Sequence, residues 1–215
     1  MSFPVTDSPF PRRRRARRGQ GEQLREEILV AAERLLLQTG DQAAVSIRAI
    51  ADAVGCTPPS IYLHFADKVQ LMLAICERHY RELGAAMVAA AGEADDPVFA
   101  LRRLGHAYID FGLEHPEHYR IMFMTRIEDT SPGAKERMLA AAAFGTLLAI
   151  VERGISAGAL RPLDPLLIAS SLWVAVHGVT SLLLTIPEPP WPDADTLIDA
   201  VLDMCLEGFS AAPRG

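Results

Sequence analysis

SIRAIADAVGCTPPSIYLHFADK, residues 46–68, is punctuated as two short helices joined by a glycine-containing turn, with the capped start of a third directly behind. Ser46 offers an acceptor oxygen to the free backbone N–H groups of a first turn. Behind it Ile47, Ile50, Ala51 and Val54 recur at helical spacing, and Gly55 stops the helix where a positive φ is cheap. Thr57 is placed to cap the second helix. Pro58 biases Thr57 away from helical backbone, and its missing N–H costs little in a first turn. Pro59 leaves the start open by one residue. Ile61 and Phe65 point one way at i, i+4, which leaves Thr57, Ser60, Leu63 and His64 on other faces. Asp67, with Gln70 three residues on, resembles a capping box for a long helix beginning at Lys68.

Two helices joined by such a turn describe a helix-turn-helix, whose second helix enters the DNA major groove. The same outline also serves as a plain helical hairpin inside a bundle, so the individual residues decide. The run GCTPPSIYLHFADKVQL closely resembles the TetR/AcrR family of bacterial transcriptional regulators, at Gly55, Thr57, Tyr62, His64, Phe65, Lys68 and Leu71. Val69 departs from the pattern, since the family usually carries an acidic residue there, but it lies outside the base-reading face. The resemblance covers about 50 residues, Leu24 to Leu73.

A chain of 215 residues, half of them apolar, can bury a sizeable core in one large or two modest domains. Leucine and alanine dominate and strand-type alternation is absent. The expected fold is therefore all-α, and the resemblance implies its layout: an N-terminal three-helix DNA-binding domain and a C-terminal helical bundle for regulation and dimerisation, about nine helices together. The domain reading is a basic arm over residues 1–21, the helix-turn-helix domain over 22–68, and the ligand-binding and dimerisation domain over 69–215. The first residues hold prolines and arginines rather than the apolar run of a signal peptide, which points to a cytoplasmic protein. Cys56, Cys76 and Cys205 are odd in number and widely spaced, suggesting neither disulfides nor zinc.

The net charge of −6 suits a DNA binder only once it is divided along the chain. Residues 1–21 carry six arginines against one aspartate, residues 22–68 carry a charge of −3, and the remainder carries −8. Attraction to phosphate is therefore expected from the arm, where Arg12, Arg13, Arg14, Arg15, Arg17 and Arg18 crowd together. A solvated tail of this kind is compatible with reaching into an adjacent minor groove, as homeodomain arms do.

Glu22 to Thr39 reads as an amphipathic helix with Leu24, Ile28, Ala31, Ala32 and Leu35 on one face and Gly40 at its end. A helix is expected from Lys68 to about Ala91, using Leu71 and Ile75. An acidic break, GEADDP, precedes a helix over Pro97–Glu114; Pro116 opens a short one over Glu117 to about Thr125. A loop over Arg126–Gly133 then leads to an alanine-rich helix over Pro132–Gly158. Leu166 to Ile186 has no lysine, arginine or acid and is long enough to span a bilayer. No basic cluster flanks it and His177 and Gly178 sit inside it, so a soluble helix covered by its own core and by a partner is expected, with no membrane. Asp193 to Phe209 is a last amphipathic helix on Leu197, Val201, Met204, Cys205 and Phe209.

The resemblance implies roles. Tyr62 and Lys68 are expected to hold phosphates with help from the helix start at Ser46, Arg48 to lie against the backbone, and Thr57, Pro58, Ser60 and His64 to face bases. For Tyr62 the plain alternative is packing against the arm or first helix, and for His64 it is surface exposure. The Lys68 helix is expected to link the DNA-binding head to the regulatory body, and the last two helices to build a homodimer that reads a palindrome. Trp173, His177 and Gly178 also resemble a Trp…His-Gly signature of one group of regulatory domains.

The regulatory half is expected to bind an apolar or amphipathic effector between helices, with candidate liners Tyr108, Phe111, Tyr119, Met122, Phe123, Phe144, Leu148, Trp173 and His177; each of these also fits simple core packing. Binding would release DNA by shifting a conformational equilibrium, making the protein a repressor. The cluster EHPEHYR carries His115 and His118, but Pro116 disturbs the helix that would fix a ligand geometry, so no metal and no cofactor are expected. No nucleophile–base pair, phosphate loop or H-E-x-x-H appears, which argues against an enzyme. A helical small-molecule or lipid-binding module without DNA activity is the alternative.

Overall fold

A computed structural model of the protein describes residues 20–92, 94–124, 142–186 and 191–211. These hold nine α-helices: α1 (Gln20–Thr39), α2 (Ile47–Val54), α3 (Pro58–Tyr62), α4 (Lys68–Ala91), α5 (Pro97–Glu114), α6 (Pro116–Tyr119), α7 (Ala142–Ser156), α8 (Pro165–Thr185) and α9 (Ala194–Phe209). No strand occurs among the described residues; Leu160 and Ser210 form one isolated antiparallel bridge. The arm with its six arginines, the whole loop expected over Arg126–Gly133 and the expected alanine-rich helix up to residue 141 lie outside the described residues.

The chain divides into two compact units. One takes the described residues up to Cys76 with Phe123 and Met124; the other takes Glu77–Met122 and the described residues from 142 onward. Helix α4 is continuous across that division.

In the first unit α1 packs on α2 and α2 on α3. Ile28, Ala32, Leu36, Ile50, Ile61, Phe65, Leu71 and Ile75 supply its core. The α1 face is rotated slightly from the expected one: Leu29 and Leu36 are buried while Leu24 and Leu35 are only half-buried. Periodicity fixes such a stripe to within one residue on either side, and packing against α2 selects the edge. At the start of α4 the Asp67 Oδ1 accepts the Gln70 N–H at 2.8 Å. The reciprocal bond goes one residue further back than in a standard capping box, from the Ala66 N–H to Gln70 Oε1 at 3.3 Å.

In the second unit α5 lies against α7, α8 and α9, and α8 against α7 and α9. Two glycines on α5 set its depth. A Cβ at Gly105 would come within 2.5 Å of Leu202 Cδ2 on α9, and one at Gly112 would collide with Thr180 on α8. The short helix expected over Glu117–Thr125 is shorter, Pro116–Tyr119, and passes into a π-helical turn at Arg120–Met124. Strand-like pairing of Arg161 N–H with Phe209 O, and of Ala211 N–H with Ala159 O, both 2.9 Å, ties the end of α9 to the turn after α7.

Candidate nucleic-acid interface and effector region

The pair α2–α3 takes its shape from three local devices. Ser46 Oγ accepts the Ala49 N–H at 3.1 Å, with Ser46 itself in extended backbone, so α2 is capped as expected. Gly55 ends α2 at φ 74°, and the Cys56 N–H returns to Ala51 O at 2.9 Å, closing the helix end. Thr57 has the extended backbone of a cap, but its side chain does not cap α3. Its Oγ1 instead lies 2.9 Å from Ser60 Oγ, while the missing proline N–H groups at Pro58 and Pro59 leave it fewer donors to serve.

Beneath α3, Ile61 and Phe65 are buried to 0 % and 3 % exposure, and this anchors the helix by its apolar side. The opposite side is open. Thr57, Pro58 and Tyr62 are exposed, and Ser60 and His64 are half-buried at the rim. His64 leans toward the start of α1, its Cε1 3.9 Å from where a Cβ on Gly21 would sit. Arg48 is exposed on α2. Lys68 is half-buried and its ammonium donates to Gln42 O, which fixes the amine beside the loop before α2. An ammonium has three donors, so this bond leaves two for other acceptors. Arg25 lies over the Phe65 ring, 5.0 Å from its centroid, joining α1 to the end of α3. Set out this way, α3 presents two hydroxyls, a phenol and an imidazole to solvent from a rigid apolar base, a surface that can hydrogen-bond base edges and phosphates.

In the second unit the candidate effector residues separate into groups. Tyr108 and Tyr119 are almost fully buried and both hydroxyls face His177 Nδ1, at 3.0 and 2.8 Å; Tyr119 also donates to His177 O at 3.1 Å. Burial lowers the His177 pKa, keeping the ring neutral and able to accept. Burial pushes the Tyr119 phenol up to about 12, partly offset by its hydrogen bond with Tyr108, and raises Tyr108 further. Trp173 packs edge-on against both Tyr108 (4.9 Å) and Phe144 (5.7 Å). Phe111 and Met122 are buried, Leu148 is half-buried on α7, and Phe123 belongs to the other unit. The apolar void between Met87, Leu104, Leu147, Trp173, Val176 and Leu202 has a volume of only about 10 Å³, room for about one water. Of the expected liners only Trp173 borders it. The others are leucines, a methionine and a valine whose helical spacing marks them as core, with no signal separating a cavity wall from packing.

Helix α8 is 21 residues long, and its most apolar 18-residue window has a mean hydropathy of 1.8 and is one-third buried. Leu166, Leu167 and Val174 on α8, Ile186 just past its end and Met204 on α9 are exposed. Leu167, Val174 and Gly178 recur at i, i+7 and i+11, one stripe along the helix.

The family model described as "Bacterial regulatory proteins, tetR family" matches residues 28–75, and that described as "Tetracyclin repressor-like, C-terminal domain" matches residues 101–205. The chain is 32 % identical over 110 residues to the HTH-type transcriptional activator FasR of Mycolicibacterium smegmatis, a match over 51 % of this chain and half of FasR's length. It is 27 % identical over 145 residues to the HTH-type transcriptional repressor NicS of Pseudomonas putida, covering 66 % of this chain and 68 % of that one. A TetR family transcription regulator from Marinobacter aquaeolei VT8 shares the fold at a TM-score of 0.68 and 24 % identity, over 90 % of this chain and 99 % of its own.

Proposed function

The chain belongs to the TetR family of bacterial regulatory proteins and is a DNA-binding transcription regulator rather than an enzyme, and we propose that it is a ligand-responsive repressor that grips a palindromic operator as a homodimer. Family membership favours this reading over a binding module without DNA activity. The observation that carries the reading is the polar, open side of α3 over buried Ile61 and Phe65. Thr57, Pro58, Ser60 and His64 face bases; Tyr62, Lys68 and Ser46 take phosphates, with Arg48 beside the backbone. Arg12, Arg13, Arg14, Arg15, Arg17 and Arg18 supply the electrostatic grip that a head of charge −3 lacks. Such a regulator works in the cytoplasm, where its operator is.

A second copy covers α8 and α9, which accounts for exposed Leu167, Val174 and Met204 without a membrane. Trp173, His177 and Gly178 favour the group with a Trp…His-Gly regulatory domain. The effector is apolar or amphipathic and enters beside Trp173. The 10 Å³ void is too small for it, so binding must select a more open state of the bundle, and that requirement couples the ligand to conformation.

A gel-shift assay with DNA from upstream of the protein's own gene, at two salt concentrations, tests the reading. Expected are a saturable shift and a rise in the neighbouring transcripts when the gene is deleted. A fall in those transcripts would make the protein an activator, and no shift at either salt would remove the operator.

A further inference from the structure

The sequence expectation of no metal weighed only His115 and His118 across Pro116. The fold brings two further donors to His118. His79 and Glu82 sit at i, i+3 on α4, one face of the helix, and His79 Nδ1 lies 3.1 Å from Glu82 Oε2. His118, on α6, points its Nδ1 at the same carboxylate oxygen from 3.8 Å. The His79 and His118 rings stack with centroids 4.0 Å apart and planes 21° apart. All three residues lie within one compact unit.

We propose that His79, Glu82 and His118 form a binding site for a divalent transition-metal ion, zinc above all, that ties α6 to α4. Bonds of about 2.0–2.2 Å at tetrahedral angles place neighbouring donors about 3.3–3.6 Å apart. The two measured separations, 3.1 and 3.8 Å, bracket that edge length. Two imidazoles and one carboxylate are the donor set that suits zinc and its neighbours, whereas calcium and magnesium demand oxygen. A carboxylate and an imidazole three residues apart on one helix is also a spacing that bundle metal sites use. The exposure gradient fits entry from one side: the His79 side chain is 2 % exposed at the floor, and those of His118 and Glu82 are 30 % and 45 % exposed toward solvent, where water supplies the fourth ligand. Binding asks the stacked rings to part by about 1 Å, since imidazoles sharing one zinc hold their centroids about 5 Å apart.

The test uses the full chain, stripped with EDTA, desalted and titrated with zinc by calorimetry and with cobalt by visible absorption. Expected are one ion per chain, a dissociation constant on the order of 1 μM or below, the intense visible band of tetrahedral cobalt, and a melting temperature that rises with zinc. Glu82→Gln and His118→Gln should each weaken binding by at least about 10-fold while melting in EDTA close to the parent. No binding at about 100-fold higher zinc than that constant, or binding that both variants leave unchanged, would overturn the site. None of these readouts uses DNA, so the result is independent of the operator reading.

Discussion

At the residue scale, neighbours on α3 have opposite duties, and the difference is measurable. Ile61 has no exposed surface and Leu63 is 84 % exposed. Ile61→Ala should therefore cost about 2–5 kcal/mol of stability by losing buried apolar surface and opening a cavity. Leu63→Ala should stay within about 0.5 kcal/mol. Urea denaturation of the two variants reads the contrast, and equal losses would mean that α3 does not lie on its Ile61 side. His64→Ala should instead relax specificity at one operator position, whereas a uniform loss across sequences would mark a phosphate contact. In the other unit, His177 gives a pH signature. Its folded pKa is lowered by burial, so between that value and the ordinary one of about 6.5 the unfolded chain holds the proton and the folded chain does not. The stability this contributes is complete above about pH 6.5 and is lost as the pH falls through the folded value. His177→Gln keeps an acceptor for the tyrosine hydroxyls and removes the titration. The drop in melting temperature between pH 7.5 and 5.5 should shrink in the variant, and an unchanged drop would assign the acid sensitivity elsewhere.

At the scale of the element, helix packing rests on absent side chains as much as on present ones. Gly105 and Gly112 let α5 sink against Leu202 and Thr180. Gly105→Ala and Gly112→Ala should each destabilise by about 1–3 kcal/mol through overpacking, with little loss of helix content by circular dichroism; a gain in stability, as expected for alanine in an open helix, would show that α5 is less tightly seated. This close approach was not legible in the sequence, where glycine inside an apolar helix signals only a propensity cost. The helix ends were. α4 and α5 span Lys68–Ala91 and Pro97–Glu114 as their caps, prolines and glycines indicate, because those signals act on the local backbone. Thr57 shows where local logic stops: its backbone caps, yet its hydroxyl found Ser60. Contacts between distant residues were out of reach altogether. Tyr108 and His177 lie 69 positions apart, and His79 meets His118 only once α4 and α6 pack. The aromatic residues drew attention as cavity liners, but burial of aromatics at helical spacing is what any core shows, and beside Trp173 the void is walled mostly by leucines.

At the scale of the whole molecule, the proposed reading gives the charge partition and the apolar stripe on α8 a partner each. If each seated arginine of the arm releases about 0.9 counterion, deleting residues 1–18 should weaken operator binding and flatten the dependence of its logarithm on salt; an unchanged slope would place the phosphate contacts in the head. The stripe asks for a second chain. If α3 is the recognition helix, its five residues touch too few bases for tight binding, and doubling it across a two-fold axis would set half-sites about 34–36 Å apart. Val174 is 69 % exposed in the middle of α8, one turn before Gly178, so an arginine there meets little of its own chain and falls on the face that the proposed α8–α9 interface would cover. There it would face its own copy, placing two like charges in an apolar contact. Val174→Arg should therefore leave the melting curve of the single chain near the parent's at low concentration while light scattering reports the 23.4 kDa of one chain instead of a dimer. Operator affinity should fall by at least about 100-fold, because each head then binds a half-site alone. A variant that stays dimeric and binds as before would move the two-fold axis to another face, and the exposed apolar surface of α8 would need a different occupant.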